Sequence, residues 1–430
     1  MQEQKFSFNK AANFTKYEQI LLNLFAFLIA WPPIKIGVNL SFFVFVFLIT
    51  SLISRKINPI KIRVNYQRLF QWFLILGVFT TLLKQPEDLI REQFFNDFLL
   101  LFNFAYWIVL SIFIITNRNK INLFTFSKYY FYGSIFLIIF YFLPGLPSVS
   151  NPLIQFPVVK GRNVLVYQLL NIIPIAFMYV ASTRSKTNTV FIILLYLLIM
   201  LLSNGRAGSI ILFIVTILLF LLLFSKYSRL FKNIFALLFF SFIIIFNDDD
   251  AIYINAIAKP FEKISPRVAD MIKQEGNGVA NNDKSWLIRE LMVEKGLMIV
   301  NKHPIFGIGF NRFRNYQVNF DGVLSTQFKF DRLGVYSSDS YLNNKSPHNS
   351  YIQILAENGI VGLILFLIML FYPLKFFFVR FYKNQLTFDD APIVALFGLT
   401  IYLYVISSYP TAITFVTIAL AYNATKIKRS

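Results

Sequence analysis

The chain alternates between long apolar runs and short polar connections. Residues 190–203, 209–224 and 360–374 contain no Asp, Glu, Lys or Arg, and similar runs recur along the sequence. Runs of this length and purity are the pattern of membrane-spanning helices. The spacing predicts about twelve spans, each roughly 17–25 residues long. Their centres fall near Ala26, Val44, Leu76, Val109, Ile138, Ile173, Leu195, Val215, Leu238, Phe366, Gly398 and Val416. Trp31-Pro32-Pro33 and Tyr409-Pro410 are expected to break the nearby helices, because proline removes a donor and clashes with the preceding turn.

The expected fold is an all-α polytopic membrane protein with one large extracytoplasmic loop. Residues 1–246 form an N-terminal bundle of about nine spans, 247–349 the loop, and 350–430 the last helices with a short tail. The polar N-terminus, 1–16, is too long ahead of its apolar run for a cleaved signal peptide, so the first span reads as a retained anchor.

Charge fixes the orientation. Of 430 residues only 14% are charged, yet the net charge is +20. Alternate connections carry nearly all of that excess, among them Arg55, Lys56, Lys61, Arg63 and Arg68, then Lys226, Arg229 and Lys232, then Lys375, Arg380 and Lys383. Such a bias places the basic face and both termini in the cytoplasm. Orientation and anionic lipid account for the basic balance, so nucleic-acid binding is not implied. With no cysteine and only two histidines, His303 and His348, disulfides, thiolate sites and a His-rich metal site are excluded or disfavoured.

The chemistry is expected where the large loop meets span ends. Asp248-Asp249-Asp250 could hold a divalent cation, but three adjacent side chains do not converge on one ion in regular structure. They read as a solvated acidic stop. Residues 285–300, SWLIRELMVEKGLMIV, have helical spacing with Trp286, Arg289, Met292 and Gly296 on one stripe. Arg289 on that stripe either snorkels and pairs with Glu290 or Glu294, or presents a fixed guanidinium to an anion; spacing leaves both open.

His303-Pro304 is expected to end that helix, with His303 as a helix-terminal residue. Gly307 and Gly309 then predict a tight backbone path rather than a nucleotide motif. The polar stretch 311–345 is either a sugar-binding surface or an ordinary exposed loop.

In SPHNSYIQILAENG, Asn349 or Ser350 can cap a helix starting near Tyr351. His348 then lies beside a helix N-terminus, whose field favours the neutral imidazole that a general base requires and whose amides are offered to an anion. Arg206, in SNGRAG between two apolar runs, lies on the outside against the charge bias, with glycines allowing close approach. Two guanidiniums suit a diphosphate, and a neutral histidine suits deprotonation of an acceptor hydroxyl.

HPIFGIGFNRF, followed by SPHNSYIQILAENGIVGLILFL, resembles the module of the O-antigen ligase and polymerase family. SNGRAGSIILF is similar to that family's arginine–glycine turn, with Asn204 where relatives often carry serine. The resemblance covers roughly 195–369. It implies a GT-C-like glycosyltransferase without a required metal or cofactor. The implied donor is an undecaprenyl-diphosphate-linked glycan; the acceptor is another glycan, lipid A–core or a protein. It implies Arg206 and Arg289 as diphosphate-binding and catalytic, His348 as catalytic, and Asn349 as substrate-binding. The implied place is the bacterial cytoplasmic membrane, with the site facing the periplasm or exterior. A lipid-linked oligosaccharide flippase is the alternative; it predicts related halves and mid-membrane ionisable groups, and the sequence shows neither.

Overall fold

A computed structural model describes residues 14–31, 35–36, 38–55, 65–83, 94–142, 154–155, 162–202, 206–223, 284–318, 320, 345–383, 385–404 and 411–425. Among them are twelve α-helices: α1 (Lys16–Ala30), α2 (Leu40–Ser54), α3 (Asn65–Leu83), α4 (Phe94–Thr116), α5 (Leu123–Phe142), α6 (Arg162–Thr183), α7 (Lys186–Leu202), α8 (Arg206–Leu223), α9 (Lys284–Lys302), α10 (Ser350–Tyr382), α11 (Ala391–Tyr402) and α12 (Ala412–Thr425). Every expected span centre except Leu238 falls inside one of these helices; Leu238 lies outside the described residues. Leu123–Tyr141, Leu165–Thr183 and Ser350–Tyr382 are long and apolar enough to cross a membrane. One departure from an all-helical reading is a small antiparallel patch of two-residue strands, in which Lys35 pairs with both Asn39 and Gln155.

Local chemistry sets the helix ends. Thr15 and Glu18 form a capping box that starts α1. The same Glu18 carboxylate takes the Arg55 guanidinium at 2.6 Å, tying α1 to the end of α2. The α1 helix stops at Ala30, ahead of Trp31-Pro32-Pro33.

The helices pack around one large apolar core that includes Phe25, Phe70, Phe104, Leu170, Val215, Phe366 and Phe415. Side chains such as Phe47, Trp72, Leu82 and Phe191 stay more than half exposed on the outside. That is the expected surface of a bundle whose solvent is lipid: packing, rather than release of water, holds such helices together. A Cβ on Gly398 of α11 would overlap Val215 of α8, so this glycine permits their close approach.

The chain path assigns ends to the bundle. Arg380 on α10 pairs with Asp390 and donates to the carbonyls of Ala424 at 3.0 Å and Thr425 at 2.9 Å. This joins the end of α10, the start of α11 and the end of α12. At the opposite end, Ser350 N donates to Leu403 O at 2.8 Å. Tyr167, near the start of α6, stacks on Tyr402 at 6.0 Å. The α6 and α7 helices are joined by two residues, and α7 and α8 by three. The path therefore brings the start of α8, with Arg206, back to the His348 end.

Candidate functional site

The first part of the site is α9. It runs Lys284–Lys302 and stops at His303-Pro304, as the spacing predicts. Its buried stripe of Leu291, Met292 and Ile299 meets Ile308, Phe313 and Tyr316 in a second, smaller core. Gly296 lies against Ile352, so α9 presses directly onto the start of α10. Arg289, half-buried, projects from this well-supported helix.

Next comes a break in α10. Gly359 has φ 66° and ψ −172°, a conformation outside the helical region that suits glycine. In an unbroken helix the amides of Ile360 and Val361 would reach the carbonyls of Ala356 and Glu357. Instead Ile360 N donates to Pro304 O at 2.9 Å and Val361 N to Ile305 O at 3.4 Å. The two released carbonyls accept from Ile308 N at 3.0 Å and Gly309 N at 2.8 Å. The segment after α9 thus replaces both missing helical bonds. Gly307 and Gly309, at φ 67° and 103°, give the tight path that this crossing demands. Non-helical backbone of this kind is tolerated near a bilayer only when protein satisfies it.

The break leaves a half-helix, residues 350–358, capped by the segment that carries His348. Asn349 is the cap: its Oδ1 accepts from Tyr351 N at 3.0 Å and Ile352 N at 3.1 Å. Ser350 N goes to Leu403 O, and Gln353 N to Asn349 O at 3.0 Å. The first four amides of α10 are therefore all satisfied within the protein. This corrects the expectation that they are offered to an anion; in this chain the cap and α11 consume them.

His348 takes φ 50°, a left-handed conformation that costs a non-glycine residue roughly 1 kcal/mol or more. Pro347 is buried before it and Asn349 after it. These anchors fix the strained residue between them. Burial holds the imidazole below its ordinary pKa of 6.5, reinforced by the charges of Arg289 and Arg314. A neutral ring was anticipated from the helix terminus; the structure gives burial and two guanidiniums as the leading causes.

The structure thus brings Arg289 and His348 together, far apart as they are in sequence. Arg206 is the first residue of α8. Its backbone is at the same end of the bundle, on the path traced above. Asp248, Asp249 and Asp250 and most of 311–345 lie outside the described residues. Among the described residues no group of three or more His, Cys, Asp or Glu side chains could hold a metal ion. His303 is helix-terminal as expected, its Nε2 3.1 Å from the Tyr316 hydroxyl.

Sequence reasoning missed three residues here. Arg314, exposed, acts on His348 from a 3₁₀ turn at Phe313–Asn315. Lys295 is buried with its ammonium 5.3 Å from the centre of the Phe313 ring. Glu357 is buried, accepting from Gln353 Nε2 at 3.0 Å and Phe313 N at 3.3 Å. A single charge within an otherwise uncharged helical stretch was the available signal for Glu357; Lys295, among Arg289, Glu290 and Glu294, and Arg314 in FNRFRNY had none.

No curated protein matches the chain. Residues 190–367, from α7 to the second half of α10, match the family described as O-antigen ligase. That segment contains Arg206, Arg289, the Gly-x-Gly crossing, His348 and the break at Gly359. Over that segment the chain is similar to the O-antigen ligase family.

Proposed function

We propose that the chain transfers a glycan from an undecaprenyl-diphosphate-linked donor to an acceptor hydroxyl, at the outer face of the bacterial cytoplasmic membrane. The observation that carries this reading is the pairing of Arg289 with an uncharged, rigidly held His348. The acceptor oxygen attacks the anomeric carbon, and the bond from that carbon to the diphosphate oxygen breaks. The electron pair leaves with the diphosphate. Arg289 and Arg206 stabilise the charge that develops there, in the manner of donors aimed at a leaving group. His348 accepts the acceptor's proton, a role worth roughly 10²–10⁴ in rate. Guanidiniums supply the positive charge, so the reaction needs no metal.

The acceptor is another lipid-linked repeat, lipid A–core or a protein; these choices share one chemistry. Residues 247–349 are the proposed outer loop that selects among them.

The test is transfer by purified chain in liposomes, using a labelled lipid-diphosphate glycan and each acceptor class in turn. Arg206→Ala, Arg289→Ala and His348→Ala should each abolish transfer while the protein still inserts, and EDTA should not. Near-normal rates for His348→Ala would remove the general base. A strict divalent-metal requirement would restore Asp248–Asp250 as the diphosphate partner.

A further inference from the structure

The turn that leaves α9, Pro304-Ile305-Phe306, carries an exposed apolar tip. Ile305 is 54% and Phe306 39% exposed, while residues 307–310 directly after them are buried. Scattered apolar side chains on a surface are ordinary. This tip is not scattered, because it continues two longer apolar surfaces.

On α10, Ile360, Ile364 and Ile368 recur one turn apart and are exposed along one side. On α3, Trp72, Ile75 and Phe79 do the same. Both stripes belong to the lipid-facing outside of the bundle. The two helices pack side by side: Phe73 meets Phe366 at 5.9 Å, and a Cβ on Gly362 would touch Leu76. The turn sits where both stripes end on the His348 side. Phe306 meets Phe79 edge-on at 6.5 Å, and the Pro304 and Ile305 carbonyls accept from Ile360 N and Val361 N.

Length sets the depth. From Ile360 to Arg380, α10 rises roughly 30 Å at about 1.5 Å per residue, the thickness of a hydrocarbon core. Arg380, with Lys383 after it, marks one boundary, so the turn beside Ile360 lies at the other. Lys375 is the one other charge in that stretch; it is exposed and reaches the Arg380 boundary by snorkelling. The backbone of the turn suits this place. Pro304 has no N–H to satisfy, α10 takes two carbonyls, and Gly307 N closes the turn on His303 O at 3.1 Å. Irregular backbone is tolerated at membrane depth when protein satisfies it in this way. Lys302, exposed just ahead of the turn, is placed to reach lipid phosphates.

We propose that Pro304–Phe306 is seated among the acyl chains of the leaflet on the His348 side. A segment that the charge pattern assigns to the large aqueous loop is then a membrane anchor. Its occupant is lipid, because the tip is continuous with two stripes that lipid covers. The anchor also steadies the site: the residues whose side chains enter lipid supply the carbonyls that bridge the break in α10.

The chain has no cysteine, so a single introduced cysteine carries a spin label without background. Labels at Ile305→Cys and Phe306→Cys are compared with Ile364→Cys, on the lipid-facing stripe, and Gln317→Cys, exposed beyond the crossing. All four side chains are exposed or partly so, and the labels leave the core intact. The protein is placed in phosphatidylcholine nanodiscs, and collision with dissolved oxygen is measured against collision with a water-soluble nickel chelate. At 305 and 306 the oxygen-to-nickel ratio should follow Ile364→Cys and exceed that at Gln317→Cys by roughly tenfold, since hydrocarbon excludes the polar chelate. Nickel access at 305 and 306 equal to that at Gln317→Cys would overturn the proposal by placing the turn in water. Shielding from both reagents would overturn it too, by showing that protein, a second copy included, covers the tip. Neither result touches the transferase reading, which the liposome assay tests separately.

Discussion

Arg289 and His348 sit on different elements, α9 and the cap of α10, yet the guanidinium acts directly on the imidazole and helps to keep it uncharged. Gly296 makes this possible by letting α9 approach Ile352 without an intervening side chain. The relationship yields a pH prediction. A ring with a lowered pKa stays in its base form at pH values where an ordinary histidine is protonated. The acid limb of kcat/KM, which reports the free protein, should therefore fall below pH 6.5. A rate–pH profile with labelled donor measures it; a limb at or above that value would contradict the arrangement.

Gly359→Ala should damage the site from a distance. A Cβ there would overlap the Ile305 carbonyl, and φ 66° already disfavours any other residue. The expected loss is at least about 2 kcal/mol, from left-handed strain plus displacement of the crossing segment. Melting of the purified protein in detergent measures the stability. Transfer should fall with it, because the half-helix under His348 loses its partner strand of backbone.

Asn349 has one role visible in the geometry and another proposed from the family resemblance, and two substitutions separate them. Asn349→Ala should cost about 1 kcal/mol as a lost cap. Asn349→Ser keeps a capping oxygen and should recover that stability. If Asn349→Ser also recovers full transfer, the cap alone explains the residue. Persistently low transfer at normal stability would place its amide group on the substrate.

Lys295 carries a stability prediction with a definite sign. Burial lowers its pKa to about 8 from 10.5. Protonation then costs more in the folded than in the unfolded state, on the order of 3 kcal/mol, partly offset by the Phe313 ring. The penalty is complete below pH 8 and disappears as pH rises through 10.5. Lys295→Met should therefore raise the melting temperature at pH 7, with the gain shrinking toward pH 10. Equal gains at both pH values would mean that the amine titrates alike in the folded and unfolded states.

Much of the fold was legible because apolar runs report directly on partition between lipid and water. Eleven of the twelve expected span centres fall in described helices. The end of α9 at His303-Pro304 and the cap at Asn349 were legible because proline and asparagine act on their own neighbours. The satisfied amides of α10 were not, because Ser350 N is taken by Leu403 on another helix. The action of Arg314 on His348 was not legible either, since it comes from a turn tied to Glu357 on another helix.

The sequence by itself determined where helices run, which residues end them, and which few charges stand at their ends. These follow from local propensity and from the cost of charge in lipid. Only the tertiary structure decided that the chain after α9 bridges the break at Gly359, and that the charges of Arg289 and Arg314 act on the same imidazole. Those relationships depend on backbone groups and side chains from distant segments meeting at one end of the bundle, and no spacing along a single segment encodes such a meeting.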